Sequence, residues 1–176
     1  MGDPNRAVFK AVQNMLERHR NSEYFFYGDE ERNTPCEPVR QFPGITNLVE
    51  LFSVLECCWC EETASPSCKK DWTAVNPSYG HDVITAVLVY DMFGGTIHRI
   101  RTPSGGTHCF NKLNDNYVDL TSEQFDLYGI LVDYEKNRRM TRDYCFIKEE
   151  TVARYKQLQR NIIYYLTQYE DDFWED

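Results

Sequence analysis

Between Gly80 and Gly95 the chain carries an almost unbroken apolar run, GHDVITAVLVYDMFGG, and directly after it the hydrophobic pattern changes period. The β-branched residues of this run suit a strand on propensity alone. Its length, its start at Gly80 and its stop at Gly94-Gly95 suit a buried helix, and a helix is the reading adopted. From Thr96 onward apolar and polar residues alternate. Thr96 to Arg101 predicts one strand, Pro103-Ser104-Gly105-Gly106 a turn, His108 to Leu113 a second strand, Asn114-Asp115-Asn116 a turn, and Tyr117 to Leu120 a third strand. A buried helix followed by strands in hairpin succession predicts a central helix packed on an antiparallel sheet of three or more strands.

The flanks are helical. Asp3 can cap and Pro4 suits a first turn, while Val8, Val12, Met15 and Leu16 recur at helical spacing. Leu48, Leu51, Phe52 and Leu55 predict a second helix over Thr46–Trp59, and Val152, Tyr155, Leu158, Ile162, Leu166 and Tyr169 mark a last helix from about Glu150 to Gln168. Residues 19–44 and 61–78, with their Gly and Pro, read as irregular. Thr121-Ser122-Glu123-Gln124 has capping-box spacing, which predicts that Thr121 and Gln124 satisfy each other's backbone donors. The fold class is therefore α+β, in a single domain over 1–176. It comprises a helical and irregular part at 1–70, a core at 71–168 and an acidic tail at 169–176.

Composition narrows the function classes. The chain is 176 residues, 41% hydrophobic and 27% charged, the balance of a globular protein. No apolar run approaches the roughly 18 residues a membrane helix needs, so no membrane partner is expected. The start, MGDPNRAVFK, has no signal-type apolar stretch, and the expected address is the cytoplasm. Seven cysteines, an odd number, and the lack of an Asn-x-Ser/Thr sequon fit a reducing compartment. Net charge is −9, and still −4 without the acids after residue 169, which disfavours a nucleic-acid partner. The basic cluster Lys136, Arg138, Arg139 and Arg142 reads as a solvated loop.

The middle of the chain is more specific. Trp72-Thr73, Asn76-Pro77-Ser78-Tyr79-Gly80, Thr85-Ala86, Asp91, Gly94-Gly95, His108, Asn111, Val118-Asp119-Leu120-Thr121 and Gln124-Phe125 occur in that order. With Arg154-Tyr155 and Leu158, this set resembles the YunG-like family of small uncharacterised bacterial proteins over roughly residues 70–166. The resemblance implies a fold similar to papain and transglutaminase-like cysteine enzymes. In such folds a Cys opening the central helix faces a His on one strand and an acid on the next. A helix start lowers a thiol's pKa, the His moves the proton and the acid orients the ring. His108 and Asp119 match the last two roles, and Asn111 or backbone N–H groups would be polar stabilisers. Where the family pattern reads Gly-Gln-Cys, this chain reads Gly80-His81-Asp82, so the nucleophile's place is taken by Asp82.

Several readings follow. Asp82 can be an N-cap, leaving a hydrolase-like domain without its thiol that binds a partner protein or a small acyl or amide ligand. A second reading keeps catalysis, as an acyl or amide hydrolase or transferase using His108 and Asp119 with a relocated Cys or a bound metal. For the metal, His81, Asp82 and His108 supply a facial set for zinc or iron, with Asp119 beside them, although adjacent helical residues diverge by about 100°. Otherwise no cofactor is expected. For the thiol, Cys57, Cys58, Cys60 and Cys68 lie upstream of the helix, whereas alternation turns Cys109 away from His108. Cys57-x-x-Cys60 with Cys68, and Cys36 or His81 as a fourth ligand, is also a structural zinc pattern. His19 and His98 have no partner in view and are expected at the surface or rim. Tyr24-Phe25-Phe26-Tyr27 is expected to dock the protein's own loops.

Overall fold

The computed structural model describes residues 2–36 and 42–168, so the tail and Tyr169 lie outside the described residues. Helix α1, Pro4–Arg18, begins where the Asp3 side chain accepts a hydrogen bond from Asn5 N. Ala7, Val8, Ala11 and Met15 form its buried face, while Leu16 is exposed. Helix α2, Leu48–Cys58, is capped by Asn47, whose side chain accepts from Glu50 N. Helix α3 is Asp82–Phe93, and β1 follows at Thr96–Arg101. Ile84, Ala86, Val87, Leu88, Val89 and Met92 are all buried in α3. A helix apolar on every side must be covered on every side, and α3 lies with the sheet on one side and α6, Glu149–Gln168, on another.

The sheet holds β2 at Thr107–Leu113, β3 at Asn116–Val118 and β4 at Arg138–Met140 in the order β3-β2-β1-β4, antiparallel throughout. Thr96 stands opposite Lys112 and Asn111 opposite Val118. Asn114 and Asp115 both have positive φ, as a two-residue hairpin turn requires. The α+β expectation and the three hairpin-ordered strands therefore stand.

Two local expectations are corrected. The basic segment is solvent-exposed at Lys136, Arg138 and Arg139, as expected, but it is not all loop. Arg138 and Arg139 lie in β4 against β1, and Arg142 opens helix α5, Arg142–Cys145. Arg142 makes a bidentate pair with Asp91 of α3, at 2.8 Å for both bonds, and Tyr155 of α6 donates to the same carboxylate. An edge strand tolerates charge because its side chains and one of its backbone edges meet water. The capping box also does not form. The short helix α4, Glu123–Asp126, has Ser122 as its cap residue without a side-chain bond, and Gln124 Nε2 donates to Thr121 O at 2.8 Å. The Thr121 hydroxyl is taken by Asp119, a charged acceptor and so the stronger partner.

Candidate functional site

Residue 82 is the first residue of α3, one place inside the cap position held by His81. Its carboxylate makes no cap bond. Asp82 Oδ2 instead accepts from Cys109 N of β2 at 2.8 Å, tying the helix start to the strand beside it. The same oxygen lies 4.0 Å from His108 Nδ1. On the far side of the ring, His108 Nε2 is 2.7 Å from Asp119 Oδ2. Helix start, imidazole and second carboxylate thus stand in a row.

Asp119 is the best-held member. Tyr134 OH donates to its Oδ2 at 2.7 Å, Thr121 N and Thr121 Oγ1 donate to its Oδ1 at 3.0 and 2.9 Å, and its own N–H donates to Tyr27 O at 2.9 Å. Burial opposes charge on this carboxyl, but His108, Tyr134 and the Thr121 N–H outweigh it and hold the group below the usual range. Burial likewise opposes a charged His108, and Asp119, with a smaller share from Asp82, raises it nonetheless. The Phe125 ring meets the imidazole edge-on at 4.7 Å. His108 and Asp119 are 2% and 1% exposed, while the Asp82 side chain, at 19%, is the part of the row that meets solvent.

The family model described as YunG protein matches residues 47–167. The chain belongs to the YunG family. A relative, the protein called "Uncharacterized protein YunG" of Bacillus subtilis (strain 168), is 36% identical over 72 residues, 41% of this chain and 57% of that protein. The alignment thus spans little more than half of that relative's length. No solved structure matches the chain.

The YunG match runs from the cap of α2 to the end of α6 and contains the whole Asp82–His108–Asp119 row. Other residues singled out in the sequence fall elsewhere. Asn111 is 2% exposed and gives its Nδ2 to Ala86 O of α3 at 2.8 Å, so it fastens the helix to the sheet rather than facing the imidazole. His81 is fully buried, with Nε2 at 2.7 Å from Thr63 Oγ1 and Nδ1 at 2.9 Å from Tyr79 O. Both of its nitrogens are engaged away from the row, so His81 does not join Asp82 and His108 as a ligand set. Burial brings its pKa from 6.5 down to about 4.

The cysteines do not supply a thiol to His108. Burial pushes the Cys57 and Cys58 thiols up, Cys60 sits against Thr63 and Asn161, and Cys68 sits beside Ser67 and Tyr79. Nor are they gathered as a zinc set among the described residues. Cys109 packs into the α3 side of the sheet, as alternation predicts, where it hydrogen-bonds Cys145. That bond lowers the Cys145 thiol against burial, with Arg142 and Arg99 assisting.

His19 and His98 are corrections. Neither is a surface residue: His19 Nε2 meets Glu56 Oε1 at 2.8 Å, and His98 lies between Thr96 and Asn137. Glu56 and Asn137 come from distant segments, which spacing does not reveal, whereas Thr96 is two residues from His98. Tyr134 escapes sequence reading for the same reason, while Thr121, two residues from Asp119, reads from the sequence as a helix cap and is instead a donor to that carboxylate. The aromatic run fares better: Phe26 is in the core and Tyr27 stacks on Tyr134 at 4.0 Å.

Proposed function

We propose that this chain is a cysteine-hydrolase-like domain in which Asp82 stands where the thiol nucleophile would be, and that its cleft binds a partner protein or a small acyl or amide ligand without turning it over. The observation that carries this reading is the Asp82 carboxylate 4.0 Å from His108 Nδ1, with Asp119 2.7 Å behind the ring. A carboxylate beside an imidazole that is backed by an acid keeps the charge pattern of a thiolate–imidazolium pair. It discards the nucleophile suited to amides, since carboxylates attack glycosidic and phosphoryl centres more readily. Binding is further supported by the exposed apolar residues Leu127, Tyr128 and Leu131, which follow Phe125 at the ring.

The test is Asp82→Cys in the full chain, labelled with iodoacetamide at pH 6 and read site by site by mass spectrometry. The introduced thiol is expected to react at least about tenfold faster than an ordinary thiol, because a neighbouring imidazole and a helix start favour the thiolate. That excess should vanish in Asp82→Cys combined with His108→Ala. An unreactive introduced thiol overturns the inherited-cleft reading. Ester or amide hydrolysis by the parent that is lost in His108→Ala overturns the absence of turnover and supports the active alternative.

A further inference from the structure

A second group of polar side chains lies where α1, α2 and α4 meet. His19 follows the last residue of α1, Glu56 is on α2 and Glu123 opens α4. One ligand atom from each lies within 4.8 Å of the other two. The His19 and Glu56 side chains are 4% and 6% exposed and that of Glu123 is 14% exposed, so this is an interior cluster rather than a solvated acidic face.

The ion pairing is incomplete. Arg18 Nε faces Glu56 Oε2 and Arg18 Nη2 faces Glu123 Oε1, at 2.8 and 2.7 Å, and Nη2 also donates to Val75 O at 3.0 Å. One guanidinium thus serves two carboxylates. Glu123 Oε2 is buried with neither a hydrogen-bond nor an ion-pair partner, whereas Glu56 Oε2 is held by Arg18 Nε. A buried carboxylate oxygen without a partner is costly. Arg18 holds one oxygen of each carboxylate. Of the other oxygens, Glu123 Oε2 is unpaired and Glu56 Oε1 meets His19 Nε2 at 2.8 Å, a contact that a shared cation would replace.

We propose that His19, Glu56 and Glu123 form a binding site for one divalent transition-metal ion of the zinc class, with Arg18 orienting both carboxylates from outside the coordination shell. One imidazole and two carboxylates suit such an ion, and a hydrogen-bonded outer partner is the usual support for carboxylate ligands. The site is separate from the Asp82–His108–Asp119 row and does not depend on its function.

The test uses the full chain, stripped with chelator and titrated with zinc chloride by calorimetry, together with crystals soaked in zinc chloride and measured at the zinc edge. Saturable one-to-one binding is expected, with an anomalous peak between His19, Glu56 and Glu123. Affinity should fall about 100-fold in Glu123→Gln and about 10- to 100-fold in Arg18→Gln, and stay unchanged in Asp82→Asn. No saturable binding, affinity unchanged in Glu123→Gln, or a peak at any other place overturns the proposal. The parent crystal decides the matter even if a variant fails to fold.

Discussion

The His108 imidazole and the Asp119 carboxylate meet at 2.7 Å, although the ring comes from a strand and the acid lies just beyond the end of the next. Tyr134, from a later segment without regular structure, closes the remaining side of that carboxylate. Removing its hydroxyl in Tyr134→Phe withdraws a buried donor from a charged acceptor. A loss of about 1–3 kcal/mol in urea unfolding is expected, because hydrogen bonds to charged groups are the stronger ones. An unchanged urea midpoint would show that water replaces the phenol.

Asn111 distinguishes a structural role from a catalytic one. In Asn111→Ala the Ala86 carbonyl loses its side-chain donor inside the core. Stability should fall by about 1–3 kcal/mol. The imidazole titration of His108, followed by NMR, should stay where the parent has it. A displaced titration would place Asn111 in the site after all.

His81 sets an acid limit on stability. Its folded pKa of about 4 lies below the unfolded 6.5, so the unfolded chain takes up the proton first as pH falls. Nothing is lost above pH 6.5. Between there and pH 4 the residue withdraws up to about 3 kcal/mol, at roughly 1.4 kcal/mol per unit. Urea unfolding of parent and His81→Gln across that range should give a flatter profile for the variant. Parallel profiles would remove His81 as the cause.

The two glycines after α3 should respond differently. Gly94 and Gly95 both have positive φ, at 76° and 71°, but a Cβ on Gly94 meets nothing within 4 Å, whereas one on Gly95 falls 2.1 Å from Lys112 O. Gly94→Ala should cost about 1–3 kcal/mol for its backbone alone, since φ 76° with ψ −140° is a conformation little used by residues other than Gly. Gly95→Ala must also push β2 aside and should cost clearly more. Equal shifts in melting temperature for the two variants would contradict this.

Much of the molecule was legible because it is local. Gly94-Gly95 end α3, Asp3 caps α1, and the alternation after Thr96 gives β1 and β2 with their register faces. The row was legible because His108 and Asp119 flank a single hairpin. What escaped depends on distance in the chain. Spacing cannot show that Arg142 returns to Asp91, that Glu56 and Glu123 converge on His19, or that His81 turns towards Thr63. The three-residue β4 is too short and too charged to carry an alternation signal, and only its pairing with β1 makes it a strand.

That same short strand has a colloidal consequence. A sheet border with unpaired backbone groups is a template on which a neighbouring molecule can add another strand. Here the border offers three residues, and the two arginines on it are exposed. Concentrated samples should therefore resist fibrillar stacking through this side, because a second copy approaching it meets like charge before it meets backbone.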